Sequence, residues 1–89
     1  MTISTSTESE MLKVAAWQKA VPITTHDPNF ARKDRFNNWI VWSDYGKTTQ
    51  FGWEIDHIVP TSWGGLDARP NVAATHWQAN RKKSNSFAG

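Results

Sequence analysis

Three polar residues in the second half of the chain have side chains that suit metal-assisted hydrolysis. Asp56 offers a carboxylate oxygen and Asn80 an amide oxygen. Such hard oxygen ligands suit a Mg²⁺ ion that keeps several waters and takes further ligands from its substrate. His57 follows Asp56 directly, and an imidazole titrates close to neutral pH. Together these residue types indicate a metal ion paired with a general base, which is the chemistry that phosphodiester cleavage needs.

A β-strand over residues 53–59 is predicted to carry Asp56 and His57. Because successive side chains of a strand point to opposite faces, Asp56 would share its face with Glu54 and not with His57. His57 therefore cannot easily bind the same metal ion as Asp56, and the role of general base suits it better.

The residues after this strand predict a loop, a returning strand and a helix. Residues 60–70 contain Gly64-Gly65 and two prolines, which is typical of a tight loop. A short strand is predicted over residues 71–75, followed by a helix over residues 76–84. The order strand, loop, strand and helix would bring Asn80 back toward the first strand.

The N-terminal half predicts a helix followed by an irregular segment. Residues 1–7 are polar and unpatterned, which indicates a disordered terminus. Helical spacing of apolar residues predicts a helix over residues 8–20 with Trp17 facing the core. Two prolines and a charged run predict a surface loop over residues 22–38.

A β-hairpin is predicted between this loop and the chemistry-bearing strand. Residues 39–42 form a β-type run, residues 43–46 favour a turn, and residues 47–53 would form the second strand. The predicted fold class is α+β, in one domain over residues 8–89.

The pattern over residues 53–83 resembles the HNH endonuclease family. The resemblance rests on Asp56-His57, Gly64-Gly65, Asn71 and Asn80, with the family's interval of nine residues between the two asparagines. It implies a ββα-metal core of the His-Me finger type over about residues 53–85, to which the N-terminal helix and hairpin are added. It also implies a small phage or bacterial enzyme that nicks or cuts DNA.

The resemblance implies a role for each motif residue. His57 would be the general base, Asp56 and Asn80 the metal ligands, and Asn71 the residue whose amide bonds the loop backbone and keeps His57 oriented. One divalent ion is expected. Mg²⁺ is favoured over Zn²⁺, because Ser84 stands where members with a His-rich metal site carry a further histidine, while Mn²⁺, Ni²⁺ and Zn²⁺ stay open as alternatives.

Basic residues beside the motif are candidates for nucleic-acid binding. Arg81, Lys82 and Lys83 directly follow Asn80, and there they would bind the phosphate backbone next to the scissile bond. Taken alone, such a run is equally typical of a solvated helix end. His76 is a secondary candidate for contact with phosphate.

Composition sets the outer limits of these expectations. The chain has 89 residues, a formal net charge of +2 and no cysteine, which excludes disulfides and Cys-ligated zinc. Neither a standard secretory signal nor a long apolar stretch is present, so a cytoplasmic protein that does not enter membranes is expected.

Two other functions stay open at this point. The first is a nucleic-acid-binding module that has the fold but no catalysis, against which the intact Asp56, His57 and Asn80 argue. The second is a nuclease toxin domain controlled by a protein partner such as an immunity protein. The sequence does not separate this second function from a stand-alone enzyme, and it gives no oligomeric state.

Overall fold

The computed structural model describes the backbone of residues 6–88 and the side chains of residues 8–83. Within this part of the chain no helix is long and apolar enough to span a membrane. The predicted α+β class is confirmed. The helices and strands are α1 (Ser6–Gln18), β1 (Val21–Pro22), β2 (Ala31–Lys33), β3 (Trp39–Val41), β4 (Trp53–His57), β5 (Val72–His76) and α2 (Trp77–Ala88).

Helix α1 begins and ends two residues earlier than predicted. The predicted disordered terminus, residues 1–7, falls mainly on residues 1–5, which lie outside the described residues, and its last two residues belong to α1. Trp17 is buried as predicted, with 4% of its surface exposed. Its indole N–H donates to the carbonyl of Pro28 at 2.9 Å, so the buried polar atom has a partner.

The β-hairpin of the N-terminal half lies in a different place from the one predicted. Strand β3 pairs antiparallel with β2, and β2 pairs with β1, so β2 lies within the predicted loop over residues 22–38 and β1 ends at its first residue. The predicted pairing of residues 39–42 with residues 47–53 is wrong, because Trp42 begins a single turn of 3₁₀ helix. Strands of two and three residues are too short to show the alternation that identifies a strand in a sequence.

The turn between β2 and β3 is held by a buried carboxylate. Asp34, with 2% of its surface exposed, accepts hydrogen bonds from the backbone N–H groups of Phe36 at 2.9 Å and Asn38 at 2.8 Å. Asn37 supplies the left-handed conformation of the turn with φ of 70°. The same carboxylate accepts the backbone N–H of His76 at 2.9 Å. Asp34 therefore ties the hairpin to the strand that leads into α2.

Strands β4 and β5 form a separate antiparallel pair, and α2 follows β5 directly. Asp56 lies opposite Ala73 and His57 opposite Val72 in this pair. The predicted order of strand, loop, strand and helix is confirmed, although β4 ends at His57, two residues early. Helix α2 starts one residue later than predicted and runs on to Ala88.

The core packs α1 against the β4–β5 pair. Trp53 is fully buried, and its ring centre lies 5.2 Å from that of Trp17 and 5.8 Å from that of Trp42. Ile40 and Val72 are also fully buried in this cluster. Removing an aromatic side chain from such a core costs about 3–5 kcal/mol. Trp53 therefore holds the start of β4, the strand that carries Asp56 and His57.

Candidate active site

The Asp56 carboxylate lies in a buried ion-pair cluster between β4 and α2. Its Oδ1 atom accepts a hydrogen bond from Lys83 Nζ at 2.8 Å, while Oδ2 accepts from Arg35 at 2.6 Å and from the Thr75 hydroxyl at 3.1 Å. Only 1% of the Asp56 side chain is exposed. Lys83 Nζ also donates to the backbone carbonyl of His57 at 2.8 Å. Two cations thus compensate one buried charge, which would be costly if unpaired.

Three donors nearly fill the hydrogen-bonding capacity of Asp56. An ionised carboxylate has about four lone-pair positions, and these three donors occupy most of them. Within the described residues, no group of three or more His, Asp or Glu side chains is placed to hold a metal ion. A metal ion at Asp56 would therefore take few protein ligands, and it would lie close to the ammonium of Lys83.

Asn80 projects from α2 toward β4, where it meets Glu54 instead of Asp56. The amide Nδ2 of Asn80 donates to Glu54 Oε1 at 3.1 Å, and Arg81 binds Glu54 Oε2 at 2.8 Å. The hydrogen bond from Arg81 is the main cause that lowers the pKa of Glu54, with burial opposing it. Because Glu54 accepts the amide N–H of Asn80, the amide oxygen of Asn80 is the atom that can bind a cation.

His57 is directed away from this cluster, as the alternation of the strand predicts. Its Nε2 atom lies 2.9 Å from Oδ1 of Asp67, a residue of the loop between β4 and β5. The His57 side chain is 30% exposed and that of Asp67 is 69% exposed. The imidazole can therefore reach solvent water, whereas the Asp56 carboxylate is buried on the other side of the strand.

The loop between β4 and β5 is closed by the side chain of Asn71. Its Oδ1 accepts the backbone N–H of Val59 at 2.8 Å, and its Nδ2 donates to the carbonyls of Val59 at 3.0 Å and Leu66 at 2.8 Å. Gly64 has a φ of 88°, and a Cβ on Gly65 would lie 1.8 Å from the Val59 carbonyl oxygen. The loop therefore needs both glycines for its tight turn.

The four residues predicted to bind nucleic acid have different surroundings. Arg81 and Lys82 are exposed on α2, while Lys83 is turned inward onto Asp56 with 17% of its side chain exposed. His76 is buried with 8% exposed, and its Nε2 bonds the Gln50 carbonyl at 2.8 Å.

The ring of His76 also caps α2, because Nδ1 accepts the backbone N–H of Gln78 at 3.1 Å. Both ring nitrogens are thus bonded to the backbone. The prediction that His76 meets nucleic acid finds no support in this geometry.

A family model described as HNH endonuclease matches residues 48–88. This part of the chain is similar to the HNH endonuclease family. The resemblance drawn from the motif residues is thereby confirmed, and the match points to nuclease activity. No curated protein and no solved structure is significantly similar to the chain.

Residues 48–88, called the HNH segment from here on, contain β4, β5 and α2. They also contain every residue that the sequence analysis proposed for the site. Helix α1 and the three-stranded sheet precede it. Arg35 and Asp34 belong to this preceding part, yet Arg35 binds Asp56 and Asp34 binds the backbone at His76. The N-terminal half therefore helps to build the site of the HNH segment.

Sequence reasoning missed several partners of the HNH residues. The position of Glu54 near the site could have been predicted, because a spacing of two residues places Glu54 and Asp56 on the same face of the strand. Asp67 lies inside the motif of residues 53–83, but the sequence analysis assigned it no role. Arg35 lies 21 residues before Asp56, and nothing in its local pattern connects the two.

Proposed function

We propose that the chain is a metal-dependent HNH endonuclease that hydrolyses phosphodiester bonds in DNA. The observation that carries the proposal is the placement of Asp56 and His57 on opposite faces of β4, within the HNH segment. A buried carboxylate beside the helix and a solvent-accessible imidazole across the strand provide separate positions for a ligand and a base. In this proposal β4, β5 and α2 form the ββα-metal core.

Asp56 and Asn80 each carry an oxygen atom of the type that a hard divalent ion binds, although Asn80 contacts Glu54 and not Asp56. Asp56 Oδ1 and the amide oxygen of Asn80 would hold it, and oxygen ligands of this kind favour Mg²⁺ over Zn²⁺. Lys83 lies 2.8 Å from the same Oδ1, so a bound ion would have to displace or tolerate that ammonium. When bound, such an ion supplies charge neutralisation at the scissile phosphate and the leaving oxygen.

The imidazole of His57 performs the proton transfer of the proposed reaction. It removes a proton from a water molecule as that water attacks phosphorus, a phosphorus–oxygen bond forms to the water oxygen, and the bond to the 3′ oxygen breaks. Solvent water then protonates the leaving oxygen. The products are a 5′-phosphate and a 3′-hydroxyl, as the family resemblance implies.

Exposed basic side chains of α2 provide a surface for the DNA backbone. Arg81 keeps 56% of its side chain exposed while it binds Glu54, and Lys82 is also exposed. Cations at this place would bind phosphates beside the site without reading base sequence. Lys83 belongs to the carboxylate cluster in this proposal and contributes to DNA binding less directly.

One alternative has an observation in its favour. Asp56 is already paired with two cations, and a chain that uses this arrangement only for stability would bind nucleic acid without cutting it. Control by a protein partner and a cytoplasmic location are further predictions from the sequence.

The test is incubation of the purified protein with supercoiled plasmid in Mg²⁺, Mn²⁺, Zn²⁺ or EDTA. We expect nicked or linear plasmid with Mg²⁺ or Mn²⁺ and intact plasmid with EDTA. If no metal supports cutting while the protein still retards DNA in a gel, the binding module replaces the enzyme.

A further inference from the structure

We propose that Asp67 is a positioning residue that fixes the ring of His57 and makes Nδ1 the nitrogen that accepts the proton from water. This inference rests on the proposed function and adds a residue to which the sequence analysis assigned no role. Asp67 touches neither substrate nor metal in this proposal, and it acts only through the imidazole.

The contact between Asp67 and His57 defines which ring nitrogen is basic. An ionised carboxylate can only accept a hydrogen bond, so the 2.9 Å contact requires the proton to be on Nε2 of His57. A neutral imidazole with a proton on Nε2 has its lone pair on Nδ1. The proton from water therefore goes to Nδ1, while Nε2 keeps its own proton in the bond to Asp67.

The loop that carries Asp67 is built to hold it in place. Asn71 Nδ2 donates to the carbonyl of Leu66, the residue directly before Asp67, and Asn71 Oδ1 accepts the N–H of Val59 at the start of the loop. Asn71 thus connects both ends of the loop. It can orient His57 through Asp67, without touching the imidazole.

Because Asp67 is exposed, its contact with His57 is expected to position the imidazole without stabilising the fold. Its side chain is 69% exposed, and ion pairs in such surroundings contribute little to folding. Removal of the carboxylate should therefore leave the free energy of unfolding nearly unchanged. Its effect should lie in the orientation of the ring and in the rate of the chemical step.

The kinetic test compares Asp67→Ala and Asp67→Asn with a control, Glu10→Ala, which removes an exposed carboxylate from α1. We expect Asp67→Ala to lower kcat by about tenfold to a hundredfold with little change in KM, as is typical when an outer partner of a functional histidine is lost. Asp67→Asn keeps an acceptor oxygen and should recover part of the rate. Equal kcat in Asp67→Ala and the wild type would overturn the proposal.

A second measurement determines directly which nitrogen of the His57 imidazole carries the proton. It does not depend on DNA cleavage. The chain has three histidines, so the ¹⁵N signals of His57 can be assigned by their loss in His57→Ala. At about pH 8.5, where an imidazole is neutral, we expect the wild type and Asp67→Asn to be protonated at Nε2. Asp67→Ala should show a larger share of the Nδ1-protonated form. An unchanged tautomer ratio in Asp67→Ala would contradict the proposal.

The two measurements also separate this inference from the proposed function. If no variant cuts DNA but the tautomer depends on Asp67, the nuclease is disproved while the contact is real. If the wild type cuts DNA and neither kcat nor the tautomer responds to Asp67, the nuclease survives and Asp67 has no positioning role.

Discussion

Asp56 and His57 are neighbours in the chain, yet their side chains have separate partners on opposite faces of β4. Asp56 is buried among cations, and His57 reaches a loop carboxylate and solvent. The alternation of a strand therefore divides the proposed chemistry between a ligand and a base. This division predicts different consequences when each residue is removed.

The first prediction concerns metal binding by His57→Ala and Asp56→Ala. Calorimetric titration with Mn²⁺ should show nearly wild-type affinity in His57→Ala, because the imidazole is not a proposed ligand. Asp56→Ala should lose both metal binding and cleavage, because it removes the charged ligand. Equal loss of metal affinity in both variants would disprove the separate roles. Circular dichroism should accompany the titration, since Asp56→Ala leaves Arg35 and Lys83 without their shared carboxylate.

The second prediction concerns Lys83, whose ammonium contacts the oxygen that a metal ion would use. Two cations at one carboxylate repel each other, so Lys83→Met should raise the affinity for Mn²⁺. Lys82→Met is the matched control, because it removes the same charge one residue along α2. If Lys83→Met weakens metal binding while Lys82→Met does not, Lys83 supports the ion instead of competing with it.

Among the elements, the turn between β2 and β3 links the two halves of the chain. Asp34 accepts the turn's backbone N–H groups and that of His76, so one buried carboxylate joins the first sheet to the start of α2. The position of α2 determines where Asn80 meets β4. The turn therefore contributes to the site although it lies outside the HNH segment.

The third prediction tests this link by urea unfolding. Asp34→Asn places an amide where several backbone donors need an acceptor, and it should lower the free energy of unfolding by about 3 kcal/mol. Asp27→Asn is the control, since Asp27 is exposed and accepts one backbone hydrogen bond, from Asn29 at 2.8 Å. We expect a loss below about 1 kcal/mol there. Similar losses in both variants would contradict the role of Asp34.

The elements also differ in how far the sequence could predict them. The strand around Asp56, the loop at Gly64-Gly65 and α2 follow from local pattern and turn chemistry, and all three are present. The pairing of β2 with β3 depends on Asp34, whose partners include a residue 42 positions away. Contacts at such separations leave no trace in periodicity, so Arg35 and Asp34 were found only in the structure.

On the scale of the whole molecule, a formal charge of +2 is too small to predict DNA binding by itself. Several basic side chains are used internally, since Arg35 and Lys83 compensate Asp56. In the proposed function, DNA binding therefore depends on cations exposed near the site, and Lys82 is one of them.

The fourth prediction follows from counterion release. Affinity for a DNA duplex should fall as salt rises from about 50 to 200 mM, and Lys82→Gln should reduce the slope of log K against log salt by about 0.9, one phosphate contact. Lys13→Gln is the control, because Lys13 lies on α1 over the rings of Trp42 and Tyr45. A slope that changes equally in both variants would mean that binding follows net charge and not the α2 surface.

The central claim is that His57 is the general base of a metal-dependent nuclease. The most direct test is the rate of plasmid nicking in Mg²⁺ by the wild type, His57→Ala and His26→Ala, the last removing an exposed imidazole that packs on Trp39. We predict that His26→Ala nicks at the wild-type rate and that His57→Ala is slower by more than about a hundredfold. Nicking by His57→Ala at the wild-type rate would contradict the claim.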